Sequence, residues 1–245
     1  NRKAFLACAF AAKEAGVKSF VFASSCSVYG FAGDEKKCES DELNPLTAYA
    51  RSKIACEEEL EKLVDSNFIV TSLRFATACG YSPRLRLDLV INDFVAGAWV
   101  NQVIRILSDG TPWRPLIHVA DMARAMDWAL HRSAGKGREF LAVNTGSEEW
   151  NYQVLDLAKG VQEVLPDTKV EIDPNASKDS RTYQVDFSLF AELAPEYQPL
   201  YTLRSCIEEL AQEMKNNQFA ISDFHQSEFI RLIVLKKYLE NNNAA

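Results

Sequence analysis

The sequence predicts an α/β protein built on a parallel β-sheet with helices packed against its faces. Three observations support this class. Short apolar runs of strand length alternate with longer segments whose apolar residues recur at helical spacing. Turn-forming residues bound these runs. The chain has 245 residues, of which 47% are hydrophobic and 25% charged, so it is long enough to bury a substantial core. The alternation favours parallel strands, because each strand is then reached through a crossover helix.

The elements follow one another regularly along the chain. A helix is predicted over 2–15, and Gly16 can adopt the left-handed conformation that ends it. A strand at 19–23 and a polar loop lead into a second helix at about 48–65, whose acidic residues, Glu57 among them, are expected to be exposed. The remaining strands and helices are predicted at 68–75, 88–100, 103–107, 119–131, 139–144, 151–165 and 169–172.

The C-terminal part of the sequence is helical in pattern from about residue 202. Residues 220–245 have the pattern of an amphipathic helix that ends in a polar stretch. Since such a helix usually buries its apolar face, the tail is expected to be a packing arm.

Composition and charge exclude several classes of partner. A net charge of −7 gives no general attraction to nucleic acid or to an anionic membrane. The six cysteines form no C-x-x-C pair, and a chain of this size does not need a disulfide framework, so neither disulfides nor a metal site is expected. This usage indicates a reducing, cytoplasmic compartment. No apolar run reaches the ~18 residues of a membrane span.

The strongest chemical signal is Tyr49-Ala-Arg-Ser-Lys53, at the start of the second helix. A spacing of four puts the phenol and the ammonium on one helix face. A phenol with a pKa of about 10 is a poor base at neutral pH, and a cation beside it stabilises the phenolate. The same spacing also occurs by chance on helix surfaces. Here, however, a buried strand ends at Ser24-Ser25 shortly before it, and strand ends are where the sites of α/β proteins form.

Four motifs then occur in one order between residues 24 and 121. They are Ser24-Ser25-Cys26-Ser27-Val28-Tyr29-Gly30, Pro45-Leu-Thr-Ala-Tyr49 with Lys53, Leu73-Arg74-Phe75 with Gly80, and Arg114-Pro-Leu-Ile-His118-Val-Ala-Asp121. Together they resemble the extended short-chain dehydrogenase/reductases, in the branch of NAD-dependent nucleotide-sugar epimerases and dehydratases.

The resemblance implies a partial Rossmann-like parallel sheet with helices on both faces over 1–80 and 106–147. A smaller α/β substrate-binding part is implied over 81–105 and 148–215, and a helical C-terminal tail over 216–245. It further implies NAD as cofactor, with NADP left open, a nucleotide-diphosphate sugar as substrate, and a homodimer formed through the helices near 1–15 and 48–65.

Carried over position by position, the resemblance also implies a set of site residues. Ser25 would hydrogen-bond the reacting sugar oxygen, Tyr49 would be the acid/base, and Lys53 would hold the nicotinamide ribose. Asn1 and Ser24 fall at further cofactor-binding positions. The substrate contacts would be Thr77, Arg84, Arg114 and Arg181, the arginines because a planar guanidinium matches phosphate oxygens in pairs. Thr77 stands where the family has Asn, and Arg84 rests on its loop position alone.

The residues after the catalytic serine separate the reactions within the family. The 4,6-dehydratase branch has an acidic pair there, because elimination of water needs an additional acid and base. In this sequence the two positions are Cys26 and Ser27, so epimerisation or simple oxidoreduction is favoured over dehydration. Cys26 is interpreted as a packing residue and His118 as a structural one.

The ten glycines form no glycine-rich turn of the kind that approaches a cofactor pyrophosphate, and the chain begins with Asn1 rather than Met. We therefore expect that the family's N-terminal glycine-rich part is lacking and that activity of this chain alone is in doubt. Two alternatives stay open. One is a catalytically incomplete fragment that acts as a nucleotide-sugar-binding or subunit-pairing module. The other is an NADP-dependent carbonyl reductase.

Overall fold

A computed structural model of the chain describes residues 2–31, 35–135, 138–173 and 182–243. Within these ranges the strands are β1 (Ser19–Ser25), β2 (Lys36–Lys37), β3 (Ile69–Phe75), β4 (Thr77–Cys79), β5 (Val103–Ile106), β6 (Trp113–His118), β7 (Phe140–Thr145), β8 (Asn151–Gln153), β9 (Lys169–Ile172) and β10 (Gln184–Val185). The helices are α1 (Arg2–Glu14), α2 (Ala48–Leu63), α3 (Val90–Asn101), α4 (Val119–His131), α5 (Val154–Val164), α6 (Ser188–Leu193), α7 (Leu203–Asn216) and α8 (Arg231–Asn243). The predicted α/β class is confirmed.

The chain divides into two compact units. The first comprises Asn1–Ala78, Pro112–Tyr152 and Asp179–Leu200, and the second comprises Cys79–Thr111, Gln153–Lys178 and Tyr201–Ala245. Each unit is therefore assembled from segments that lie far apart in the sequence.

The first unit is centred on a parallel sheet with the strand order β1-β3-β7. One face packs against α1 and α2 through a buried apolar cluster that includes Phe22 and Leu60. The opposite face packs against α4 through a second cluster that includes Leu73 and Trp128. Because successive strand residues point to opposite faces, a sheet covered on both sides needs apolar residues at both odd and even positions. This is why β1 and β3 have no simple alternation of apolar and polar residues.

A row of three polar residues crosses this sheet near the carboxyl ends of its strands. Ser24 of β1 pairs with Arg74 of β3, and Arg74 pairs with Asn144 of β7. All three residues are buried. Paired residues share a face of the sheet, and Ser24 lies on the same face as Phe22, two residues earlier. The polar row therefore faces α2, the helix that carries Tyr49 and Lys53.

Smaller sheets complete the two units. β4, β6 and β8 form a second three-stranded sheet, and β2 pairs in parallel with β10. In the second unit β5 pairs in parallel with β9, while α3, α5 and α7 pack against one another. The core of this unit includes Ile91, Phe94 and Val95 of α3, all of them buried.

Two sequence predictions are corrected by contacts within the first unit. The helix predicted over 151–165 begins only at Val154, because residues 151–153 form β8. There the Asn151 side chain accepts the Val185 N–H and donates to the Val185 carbonyl, each at 3.0 Å. Glu57, predicted to be exposed, is only 4% exposed because Arg74 of β3 forms an ion pair with it.

The tail also differs from the prediction. The apolar residues Leu232, Leu235 and Tyr238 of α8 are 52–63% exposed, so the predicted packing of an apolar face is wrong for α8. Phe224, earlier in the tail, is buried at 1% exposure. No helix in the described part of the chain is both long enough and apolar enough to cross a membrane.

Candidate active site

The serine motif forms a tight turn at the carboxyl end of β1. A 3-10 helix, Cys26–Tyr29, begins directly after Ser25, whose side-chain oxygen caps it by accepting the Ser27 N–H at 3.2 Å. Gly30 ends the turn with a φ of 65°. A Cβ at this position would overlap the carbonyl oxygen of Asn44, so both the backbone conformation and the space require glycine. The turn thereby holds Ser25, half-buried, at the end of the strand.

Tyr49 and Lys53 lie in the first turns of α2. Thr47 caps the helix by accepting the Ala50 N–H at 3.1 Å, so the helix begins immediately before the tyrosine. The Lys53 Nζ lies 5.2 Å from the centroid of the Tyr49 ring. The tyrosine is 55% exposed, and its ring is therefore open to a ligand.

Lys53 also joins α2 to the strand that ends in the serine motif. Its Nζ donates a hydrogen bond to the Ala23 carbonyl oxygen at 2.7 Å and lies 4.8 Å from the centroid of the Phe22 ring. Burial lowers the pKa of Lys53, while the nearby Cys56 and Glu57 act in the opposite direction. The Lys53 ammonium is thus held beside the Tyr49 ring and against the backbone of Ala23, which lies two residues before Ser25 in β1.

Two serine hydroxyls in the motif are buried and form no hydrogen bond to any residue that the structure describes. They are Ser24 Oγ and Ser27 Oγ, and Ser24 as a whole is only 3% exposed. A buried hydroxyl left unpaired costs about 1–3 kcal/mol. Buried hydroxyls of this kind normally have a hydrogen-bond partner in a ligand or an ordered water molecule. The carboxyl end of β1 therefore fits a bound group that carries hydrogen-bonding atoms, such as a ribose or a sugar.

A buried ion pair that was not predicted from the sequence joins Glu57, one turn after Lys53 on α2, to Arg74 of β3. Arg74 Nη2 donates to Glu57 Oε2 at 2.8 Å, and its Nε lies 3.2 Å from both carboxylate oxygens. Glu57 also accepts the Ser72 hydroxyl at 2.8 Å. Two signals in the sequence point to this pair. Glu57 lies four residues after Lys53 on the same helix face, and an arginine in a buried strand needs an acidic partner.

The hydrogen-bond network continues from Arg74 to the serine motif and to β7. Arg74 Nη1 donates to the Tyr29 hydroxyl at 3.2 Å, and this hydroxyl donates to Asn144 Oδ1 at 2.7 Å. The Asn144 backbone N–H donates to the Glu39 carboxylate at 2.8 Å, and its side-chain amide donates to two backbone carbonyls at 3.2 Å. Burial raises the pKa of Tyr29, so its phenol stays neutral and can donate.

Cys26 and His118 have structural contacts. The Cys26 thiol is fully buried and donates to the Arg74 carbonyl oxygen at 2.9 Å, and burial raises the pKa of this thiol far above its ordinary value. His118 is buried and caps α4, its Nδ1 accepting the Ala120 N–H at 3.2 Å. Neither side chain is placed for nucleophilic or acid/base chemistry.

The predicted substrate contacts occupy several parts of the chain. Thr77 lies in β4 and Arg114 in β6, which are neighbours in the second sheet, and both residues are partly exposed. The Nη1 of Arg114 donates to the Trp113 carbonyl at 2.8 Å. Arg84 belongs to the second unit and is exposed. Asn1 and Arg181 lie outside the described residues.

Known proteins resemble this chain in sequence. The profile of the NAD dependent epimerase/dehydratase family matches residues 3–146. The dTDP-D-glucose 4,6-dehydratase of Mus musculus is 29% identical over 162 residues, which cover 66% of this chain and 44% of that protein. The UDP-glucose 4-epimerase of Bacillus subtilis (strain 168) is 29% identical over 169 residues, which cover 61% of this chain and 48% of that protein. The chain thus spans about half the length of these relatives.

Solved structures share the fold. MoeE5 in complex with UDP-glucuronic acid and NAD is 25% identical with a TM-score of 0.73, and the match covers 85% of this chain and 69% of that one. UDP-glucose-4-epimerase from Stenotrophomonas maltophila, with bound NAD and formylated UDP-arabinopyranose, is 22% identical with a TM-score of 0.74, covering 89% of this chain and 69% of that one. The second likeness shows the fold alone. The predicted Rossmann-like arrangement is confirmed.

Proposed function

Since the chain belongs to the NAD-dependent epimerase/dehydratase family, we propose that its protein epimerises a nucleotide-diphosphate sugar through a keto intermediate, or oxidises or reduces such a sugar. One observation carries the proposal. The Lys53 ammonium is hydrogen-bonded to β1 at Ala23, at 2.7 Å, and lies 5.2 Å from the Tyr49 ring. This arrangement puts a cation beside an exposed phenol, at the end of a strand in a parallel sheet.

The residues of this chain account for the proton transfers. Tyr49 would take the proton of a sugar hydroxyl as the carbonyl forms at that carbon, and return it when the carbonyl is reduced. The Lys53 ammonium stabilises the phenolate form that accepts the proton. Ser25 would hydrogen-bond the same sugar oxygen and orient it. Bound NAD would supply the hydride acceptor and donor at the sugar carbon.

The nicotinamide and ribose half of the cofactor would bind at the carboxyl end of β1. Lys53 and Tyr49 supply hydrogen-bonding groups there, and the buried, unpaired hydroxyl of Ser24 supplies another. Asn1 would join them, as the family resemblance implies. These contacts apply equally to NAD and NADP, and NAD is preferred because the solved relative MoeE5 was obtained with it.

Epimerisation or oxidoreduction is proposed over dehydration because of the two residues that follow Ser25. The Cys26 thiol is buried, bonded to a backbone carbonyl and shifted to a high pKa, so it cannot serve as an acid/base group at neutral pH. Ser27 carries a neutral hydroxyl. An elimination of water would need an additional acid and base at these positions.

The substrate diphosphate would be bound by arginines. Within the described part of the chain the Arg84 guanidinium forms no hydrogen bond or ion pair, so all of its donors are available to phosphate oxygens. Arg114 and Arg181 would contribute further contacts, and Thr77 a hydrogen bond to the sugar nucleotide. Substituting these arginines should raise the KM for a nucleotide sugar, whereas a carbonyl reductase acting on a small ketone would be unaffected.

We also propose a homodimer formed through α1 and α2 in a cytoplasmic protein. The two helices pack side by side, and Phe10 of α1 is 50% exposed, which provides an apolar group for a symmetric contact. All six cysteines are free thiols, as a reducing compartment would keep them. Light scattering of the wild type and of Phe10→Ser would test the dimer.

The decisive experiment measures cofactor binding and turnover with matched tyrosine variants. If the coenzyme site is complete, NAD⁺ should bind in calorimetry and a UDP-sugar screen should reveal an epimer or an oxidised product. Tyr49→Phe should abolish turnover but retain cofactor binding, while Tyr238→Phe, at a tyrosine that is 63% exposed, should behave as wild type. Thermal shifts with UDP-sugars, but no binding of NAD⁺ or NADP⁺, would instead identify this chain as a sugar-nucleotide-binding module.

A further inference from the structure

We propose that Glu57 and Arg74 are positioning residues that fix Tyr49, Lys53 and Ser25 relative to one another; this role rests on the function proposed above. Neither side chain is accessible to a ligand, since they are only 6% and 7% exposed. Their effect on a reaction at Tyr49 must therefore act through the residues that they hold.

The first part of the argument concerns the rotation of α2 about its own axis. Tyr49, Lys53 and Glu57 follow one another at intervals of four residues and so lie along one face of the helix. The Glu57 carboxylate is held by contacts of 2.8 and 3.2 Å from Arg74 and by one of 2.8 Å from Ser72. A paired guanidinium and carboxylate tolerate little rotation, because both N–H···O bonds must stay aligned.

The apolar contacts of α2 cannot set this rotation as sharply. Cys56 and Leu60 are buried against the sheet on the same side of the helix. Such contacts are non-directional, and a small rotation of the helix would preserve most of the area that they bury. The direction in which Tyr49 and Lys53 point is therefore set by the ion pair one turn further along the helix.

The second part concerns the opposite end of the Arg74 guanidinium. Its Nη1 donates to the Tyr29 hydroxyl at 3.2 Å. Tyr29 is the last residue of the 3-10 turn that Ser25 caps, and it is fully buried. One guanidinium thus holds both the helix that carries the acid/base pair and the turn that carries the serine. The separation between these two parts of the site depends on it.

Stability alone does not require such a pair. Replacing a buried ion pair with apolar residues of similar size is often neutral or stabilising, whereas removing one partner leaves an unpaired buried charge. A double substitution therefore separates the two roles. If the pair served only to stabilise the fold, Glu57→Leu combined with Arg74→Met would leave the site intact. If the pair positions the site residues, the double variant folds but holds Tyr49 at an altered distance and angle from Ser25.

The test compares this double variant with a control at an exposed ion pair of α7. The control is Arg204→Met combined with Glu208→Leu, which makes the same chemical changes at side chains that are 67% and 51% exposed. We expect the Glu57/Arg74 double variant to stay folded at the assay temperature, although the buried Ser72 hydroxyl loses its acceptor. It should keep a wild-type sugar KM but lose about a hundredfold in kcat, the order expected for a misplacement of about 1 Å. Hydrogen exchange in residues 24–30 and 48–56 should become faster, and the control should match the wild type in all four measurements.

A wild-type kcat and wild-type exchange in the folded double variant would overturn the proposal. If the double variant does not fold, Arg74→Lys provides the same test, because it keeps the charge that pairs with Glu57 but loses the planar fork that reaches both Glu57 and Tyr29. It should lower kcat in the same direction to a smaller extent, and an unchanged kcat would refute positioning. If no nucleotide sugar is turned over by the wild type, faster exchange in the variant still supports positioning, and only the proposed function fails.

Discussion

Replacing Tyr29 by Phe tests the buried hydrogen-bond network with the least change of shape, because a single oxygen atom is removed. That oxygen accepts from Arg74 Nη1 at 3.2 Å and donates to Asn144 Oδ1 at 2.7 Å. Since Tyr29 is fully buried, water does not replace the lost contacts. One donor and one acceptor are left unpaired, each at a cost of about 1–3 kcal/mol. The expected loss in the free energy of unfolding is therefore about 2–6 kcal/mol.

The loss can be measured by urea unfolding followed by circular dichroism, together with the melting temperature. For a chain of this length each kcal/mol lowers the melting temperature by about 2–4 °C, so a decrease of at least about 4 °C is expected. Faster hydrogen exchange in β3 and β7 would locate the effect in the first unit. Tyr238→Phe is the control and should stay within about 0.5 kcal/mol of the wild type. If Tyr29→Phe is equally benign, the network contributes no stability and the reasoning is refuted.

Three further predictions concern single features of the site. Gly30→Ala should destabilise the protein by at least about 1 kcal/mol more than Gly16→Ala in urea unfolding, because both glycines have positive φ but only at Gly30 would a Cβ overlap a backbone carbonyl. Equal losses would contradict this. Burial lowers the pKa of Lys53 in the folded state. At pH values between this lowered pKa and the ordinary value of 10.5, the unfolded state therefore binds more protons than the folded state. The stability of the wild type relative to Lys53→Met should therefore rise as the pH increases toward 10.5, and a fall would show that the sign is wrong. A thiol reagent followed by peptide mapping should label the exposed Cys8 well before the buried Cys26, and equal rates would show that the serine turn opens readily.

Much of the first unit could be predicted from the sequence because its elements are defined by local patterns. The helix predicted over 2–15 is observed as Arg2–Glu14, and the strand predicted over 68–75 as Ile69–Phe75. The exception at residues 151–153 has a long-range cause. Asn151 is bonded to Val185, which lies 34 residues away, and helical periodicity contains no information about such a partner.

The site residues divide in the same way, into those that a local pattern defines and those that depend on a distant partner. Tyr49 and Lys53 were predicted because their relation is a local helix spacing, and Ser25 because it lies at a strand end. The burial of Glu57 was missed, since a glutamate on a helix is normally solvated and only a partner such as Arg74, 17 residues further along, makes its burial possible. The exposed apolar residues of α8 were missed for a related reason, because periodicity identifies an apolar face but not whether another element covers it.

The contacts of the polar row also have a consequence for the order of folding. Arg74 lies 45 residues from Tyr29, and Tyr29 lies 115 residues from Asn144. Contacts between residues so distant in sequence form late, because the entropy of closing long loops must be overcome first. The helix with Tyr49 and Lys53 can form early from local interactions, but the turn that holds Ser25 reaches its final geometry only when β7 has docked. A nascent chain that has not yet released Asn144 from the ribosome therefore carries the acid/base pair without an assembled site.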